Sequence, residues 1–152
     1  MRAAVLNHGE ILVRDDVEEP QPGFGQVLVE VKACGICGSD LHFAQHGGDM
    51  LALGKQIEGM PDLGQGGDEV DLDRDVFMGH EFAVEVLDVG PDTEPAVGVG
   101  KLATSIPILM GMDGIKPIVY SNSVKAGYGE RMLLSAPMLL EVPNGLAAEH
   151  AA

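Results

Sequence analysis

The chain has 152 residues, 45% of them hydrophobic and 22% charged, enough for one domain with a real hydrophobic core. Its 24 acidic against 9 basic residues give a net charge of −15, which disfavours nucleic acid and anionic membrane as partners. Aromatics are only 4% and tryptophan is absent, so the core is expected from Val, Leu, Ile, Met and Ala, with 21 glycines pointing to many tight turns.

In chain order, "RAAVL" and "ILVRDD" read as two short strands separated by the turn "NHGE". "EEPQPGFGQ" is a Pro/Gly loop. "QVLVEVKACG" alternates well, with Val27, Val29 and Val31 on one face and Leu28, Glu30 and Lys32 on the other. "SDLHFAQH" suggests a short helix starting near Ser39 or Asp40. The Gly/Asp-rich segment 46–76 reads as a long loop, with at most a helical turn around residues 50–55. Its "DEVDLDRD" run holds five acids but lacks the spacing of a calcium loop, and is expected to be solvated. "EFAVEVLDVG" is a second clear strand. "KLATSIPIL", "IKPIVY", "GERMLLS" and "LLEVP" are further short apolar runs, and "NGLAAEHAA" closes with helix formers. Many short strands at turn-punctuated spacing predict a mainly β barrel or sandwich with a few short helices.

No Gly-x-Gly-x-x-Gly follows a strand and opens a helix. "GFGQVL" precedes a strand, and "GVGKLA" lacks the third glycine, so a nucleotide-binding Rossmann domain is not expected within this chain. No signal peptide and no apolar run of membrane-spanning length is visible. Two cysteines three apart make no disulfide framework, which predicts a cytoplasmic setting.

The chemistry concentrates in "CGICGSDLH", residues 34–42, which holds both cysteines, an acid and a histidine. A redox pair belongs in a βαβ context, and the surroundings here are β-rich. A four-thiolate zinc site needs two further thiols. Partners must therefore lie elsewhere, and "MGHEF", residues 78–82, offers them. Cys37 stands near an expected helix start, where the helix dipole favours an anion, and with His80 supplies a thiolate and an imidazole suited to zinc; Glu81 is an adjacent candidate. Each has a structural alternative: Cys37 as an inert thiol, His80 as a core histidine. Cys34 reads as a small core residue. His8, His46 and His150 read as solvated surface.

"CGICGSDLH" followed by "GHEFAVEVLDVG" resembles the zinc-dependent medium-chain alcohol dehydrogenases. "GYGERMLLSAPMLLEVP" and the N-terminal "MRAAVLNHGEILVRDDVEEPQPGFGQVLVEVKACG" are similar to further segments of that family, so the resemblance covers nearly the whole chain. It implies the GroES-like β-barrel of the catalytic domain over residues 1–152, an N-terminal fragment of a longer dehydrogenase. It implies that Cys37 and His80 bind a catalytic zinc, with Glu81 as an acid that coordinates it in some states. Asp40 then orients the ligating histidine, Ser39 touches the substrate oxygen, and His42 is the outer base of a proton relay. Asp40 also suits a helix cap, and His42 an ordinary surface position. The implied activity is oxidation of a small alcohol, or reduction of a carbonyl, with NAD or NADP held by a nucleotide-binding domain missing from this chain.

The chain departs from that family in several ways. A third zinc ligand lies just past the last residue in many relatives. The four-cysteine structural-zinc lobe is absent, with "ILMGMDGIKPIVYSN" in its place, and the connection from His42 to Gly79 is long. The expectation is a fragment inactive alone, with zinc at low occupancy, from a full-length protein that is a homo-oligomer. The alternative is a non-enzymatic GroES-like interaction module.

Overall fold

The computed structural model describes residues 1–56, 70–112 and 114–152. Strands β1 (Ala3–Asn7) and β2 (Glu10–Arg14) form the expected hairpin. Its two-residue turn places His8 (φ 49°) and Gly9 (φ 79°) in the left-handed region, the twist that joins antiparallel strands most tightly. Strand β4 (Val76–Phe77) pairs with the other edge of β1.

The larger sheet has five strands in the order β10-β6-β5-β3-β9, from β3 (Gln26–Gly35), β5 (Glu81–Val89), β6 (Leu102–Ser105), β9 (Arg131–Ser135) and β10 (Leu139–Glu141). Strands β7 (Ile108–Gly111) and β8 (Gly114–Pro117) make a separate hairpin. All strand pairings among the described residues are antiparallel, so the mainly β expectation holds.

The alternation read in β3 and β5 has its physical counterpart. Val27, Val29, Val84 and Val86 are fully buried in one core with Met132, Leu134 and Ile118. Burying such side chains stabilises by about 1.5–3 kcal/mol each. Leu28, assigned to the outer face by simple alternation, is also buried. A bulge between Val31 and Ala33 then shifts the register, so that Gly35 lies opposite Glu81. That shift brings the end of β3 to the start of β5, where the candidate ligands sit.

The loop expected over 46–76 is corrected in its first part. Helix α1 runs from Gly38 to Gln56, with a kink at His46, whose φ of −132° is non-helical. Gly47 and Gly48 hide the helix from a periodicity reading. The packing explains why it persists: Phe43, Met50 and Leu51 join Leu6, Val76, Met78 and Tyr120 in a second core. Gly47 passes over the Phe43 ring so closely that a Cβ would stand 3.4 Å from it. Of the rest of that expectation, 57–69 lies outside the described residues, and 70–75 holds no helix or strand, as expected. A short helix α2 (Ala148–Ala151) follows β10. Among the described residues no helix is long and apolar enough to cross a membrane.

Candidate metal centre

Cys37 immediately precedes α1. Its backbone N–H donates to Asp40 Oδ2 at 3.1 Å, while the Asp40 N–H donates to the Cys37 carbonyl, also at 3.1 Å. Asp40 thus caps the helix start, one of the two roles read for it. It is only 3% exposed, and its other oxygen, Oδ1, faces His80 Nδ1 at 3.5 Å. The cap and the histidine partner are the same carboxylate.

His80 is held by the residue before it. Gly79 has φ +98°, a conformation that favours glycine, and its carbonyl accepts from the Gly127 N–H at 2.8 Å. A Cβ on Gly79 would stand 2.8 Å from both Tyr128 Cδ1 and Tyr128 N. Glu81 opens β5, and its side chain lies across Gly35, where a Cβ would come within 2.7 Å of Oε2. Glycine is therefore needed at 79, where the obstructing atom is backbone, while at Gly35 a Cβ would displace the Glu81 side chain.

The outcome is a cluster. The ligand atoms of Cys37, His80 and Glu81 all lie within 4.8 Å of one another, and among the described residues this is the one such group of three or more. Zinc bonds of about 2.0–2.3 Å place two donors of one tetrahedral ion roughly 3.5 Å apart, so the spacing approaches that of a shared ion. A thiolate, an imidazole and a carboxylate are also the donor chemistry zinc takes in catalytic sites. Ser39 Oγ lies 3.4 Å from His80 Nε2, on the ring edge opposite Asp40. Three buried side-chain polar atoms lack a hydrogen-bond partner among the described residues: Asp40 Oδ1, His80 Nδ1 and the Tyr120 hydroxyl. All three belong to this one place. A histidine facing a buried carboxylate with one nitrogen, and the Ser39 hydroxyl with the other, is held in a fixed orientation, as metal sites hold a ligating histidine. The residues present fit zinc.

Cys34 does not join them. It packs against the main core, opposite Phe82, and burial pushes its thiol up to about 11. His42 lies outside the ligand group, on the exposed face of α1, with its ring 5.0 Å from that of His46; it makes no hydrogen bond to Ser39.

Two residues of the site escaped the sequence reading, and they are the two tyrosines of the chain. Tyr128 donates its hydroxyl to Asp40 Oδ2 at 2.7 Å, and burial with this donation holds that hydroxyl well above its ordinary pKa. Tyr120 is 8% exposed, stacks on Phe43 at 3.8 Å between ring centroids, and meets His80 edge-on at 6.4 Å. The available signal was general: a buried tyrosine in a chain poor in aromatics brings a hydroxyl that needs a partner.

Residues 23–144 match the alcohol dehydrogenase GroES-like domain. The chain belongs to that family. The domain is 30% identical over 167 residues to an alcohol dehydrogenase of Geobacillus stearothermophilus, covering 100% of this chain and 43% of that protein. It is 29% identical over 167 residues to a probable zinc-binding alcohol dehydrogenase of Mycobacterium tuberculosis, covering 99% and 38%. Among solved structures it is similar to the butanediol dehydrogenase of Bacillus subtilis, with a TM-score of 0.68 and 25% identity over 99% of this chain and 42% of that one. The domain thus spans about two-fifths of the length of the relatives it matches.

Proposed function

We propose that residues 1–152 form the GroES-like, zinc-binding catalytic domain of a longer dehydrogenase, which oxidises small alcohols or reduces carbonyls by hydride transfer with NAD or NADP. The observation that carries this reading is the convergence of Cys37, His80 and Glu81, with the unpartnered buried polar atoms confined to the same place. Family membership and the zinc-binding and alcohol dehydrogenase names of the relatives support it.

Cys37 and His80 hold the metal, with Glu81 beside them as an exchangeable ligand. Asp40 fixes the ring orientation of His80 through Nδ1, leaving Nε2 for the ion. Bound there, zinc supplies Lewis-acid polarisation of the substrate oxygen. Ser39 Oγ would accept the proton of the substrate hydroxyl while passing its own proton on, and His42, three residues along α1, would be the outer base that receives it through solvent. The hydride acceptor is held by a nucleotide-binding domain outside this chain, so the chain alone is inactive. The two cysteines are free, which supports a reducing, cytoplasmic setting. The complete protein is a homo-oligomer.

Metal analysis after dialysis tests the site. Cys37→Ser is expected to lose most of its zinc, and Cys34→Ser to retain it; equal loss from both variants overturns the assignment. Assays of the chain with NAD, NADP and a panel of alcohols test the need for a further domain. Turnover at about one per second or faster would show that none is needed.

A further inference from the structure

His42 and His46 lie four residues apart on α1, and both are exposed. Their rings stand 5.0 Å apart between centroids, tilted by 53°. Among the described residues they are the one pair of imidazoles in contact, and neither makes a hydrogen bond or ion pair to another described residue. Because α1 is kinked at His46, ideal helical spacing does not describe the pair, and the ring separation does.

A solvated surface accounts for either histidine alone. Two imidazoles at this separation have the geometry of a chelate. An imidazole nitrogen binds zinc at about 2.0–2.1 Å and lies about 1.1–1.2 Å from its ring centroid, so a bound ion stands about 3.2 Å from each centroid. At bond angles of roughly 90–109° the two centroids are then about 4.5–5.2 Å apart. The observed 5.0 Å falls within that range. Both rings are exposed, and the terminal torsion of a histidine is soft, so turning one nitrogen of each toward a shared ion costs little.

Chemistry and charge select the ion. Imidazole pairs suit nickel, copper and zinc rather than magnesium or calcium, which take oxygen ligands. The net charge of −15 attracts cations, and Asp49, exposed three residues beyond His46, adds to that attraction without completing a third ligand. We infer that His42 and His46 form a second site, for a divalent first-row transition ion that keeps water in its other positions, separate from Cys37, His80 and Glu81. An ion held there takes a nitrogen of His42, so it would compete with the outer-base role proposed above. That consequence rests on the proton-relay reading; the site itself does not.

Nickel is the probe, because it is paramagnetic and does not oxidise the two free thiols. The chain is first given one equivalent of zinc. Nickel is then titrated while the ring protons of the histidines are followed by NMR. Those of His42 and His46 are expected to broaden together, before those of His8 and His150. His42→Gln and His46→Gln should each weaken nickel binding by about tenfold or more, because a chelate needs both nitrogens. Circular dichroism is recorded on both variants, and if either unfolds, the order of broadening in the wild type decides. Broadening that spares either ring, or that begins at His8 or His150, overturns the inference. So does a loss confined to one variant, which marks a single imidazole binding alone. Broadening abolished by an equal concentration of magnesium overturns it too, by assigning the binding to surface charge. A chain that takes up no zinc at Cys37 and His80 counts against the metal-centre reading alone, and the order of broadening still tests His42 and His46.

Discussion

Tyr128 and Asp40, 88 residues apart in the chain, are joined by a 2.7 Å hydrogen bond behind the candidate metal ligands. The same Asp40 oxygen also accepts from the Cys37 backbone, so one carboxylate oxygen ties a helix start to the 127–129 segment, while the other faces His80. Tyr128 acts through Asp40 as a positioning residue. Tyr128→Phe is expected to weaken zinc binding by roughly 10–100-fold, the effect typical of removing an outer partner of a metal ligand. It should also cost about 1 kcal/mol of stability, as expected for one net hydrogen bond whose acceptor keeps a second donor. Competition against a chelator of known affinity measures the first. Unchanged zinc affinity in a folded variant would show that Asp40 is held well enough without Tyr128.

Gly79 sets the position of His80, and its role is steric. Its φ of +98° and the 2.8 Å approach of a built Cβ to the Tyr128 backbone nitrogen act together, since the obstructing atom is backbone and has little freedom to move. Gly79→Ala is expected to destabilise by roughly 2–4 kcal/mol. Thermal unfolding followed by circular dichroism should register a fall in melting temperature of roughly 10 °C. A shift within experimental error would mean that the 78–80 and 127–129 segments separate at little cost, against the packing described above.

Asp75 pins the smaller sheet. It accepts two hydrogen bonds from Arg14, both at 2.9 Å, and a third from Asn7 at 2.6 Å, so it ties β1 and β2 to the residue before β4. The Arg14 bonds, with that of Asn7, hold its carboxyl below the ordinary value of 3.8 against the opposing effect of burial. A carboxyl whose folded pKa lies below its unfolded one stabilises fully above the unfolded value. That stabilisation is lost as the pH falls through the folded pKa. Asp75→Asn should therefore cost about 1 kcal/mol near neutral pH, a figure discounted for the partial exposure of the pair. Urea midpoints should show the gap between wild type and variant closing as the pH is lowered to about 2. A gap that is constant with pH would assign the cost to packing rather than to the charge.

Local chemistry in the sequence reached far. The β-rich class followed from alternation in 26–35 and 81–89, because a side chain on a strand is buried or exposed with a period of two and valine at alternate positions marks the core. Cys37, Asp40, His80 and Glu81 were legible because metal-binding side chains are few and chemically distinct, and their spacing within each motif survives folding. Tertiary structure decided the rest. The helix that continues to Gln56 owes its later turns to Phe43, Met50 and Leu51 packing on β1 and β4, contacts that no window across Gly47 and Gly48 contains. The bulge that aligns Gly35 with Glu81 depends on pairing between strands. Tyr128 and Tyr120 reach the site from the far end of the chain, and nothing in their neighbouring residues marks them. Hydrogen bonding and burial depend on distance in space, so the partner of a carboxylate or the isolation of a hydroxyl exists only once the sheet has brought the segments together.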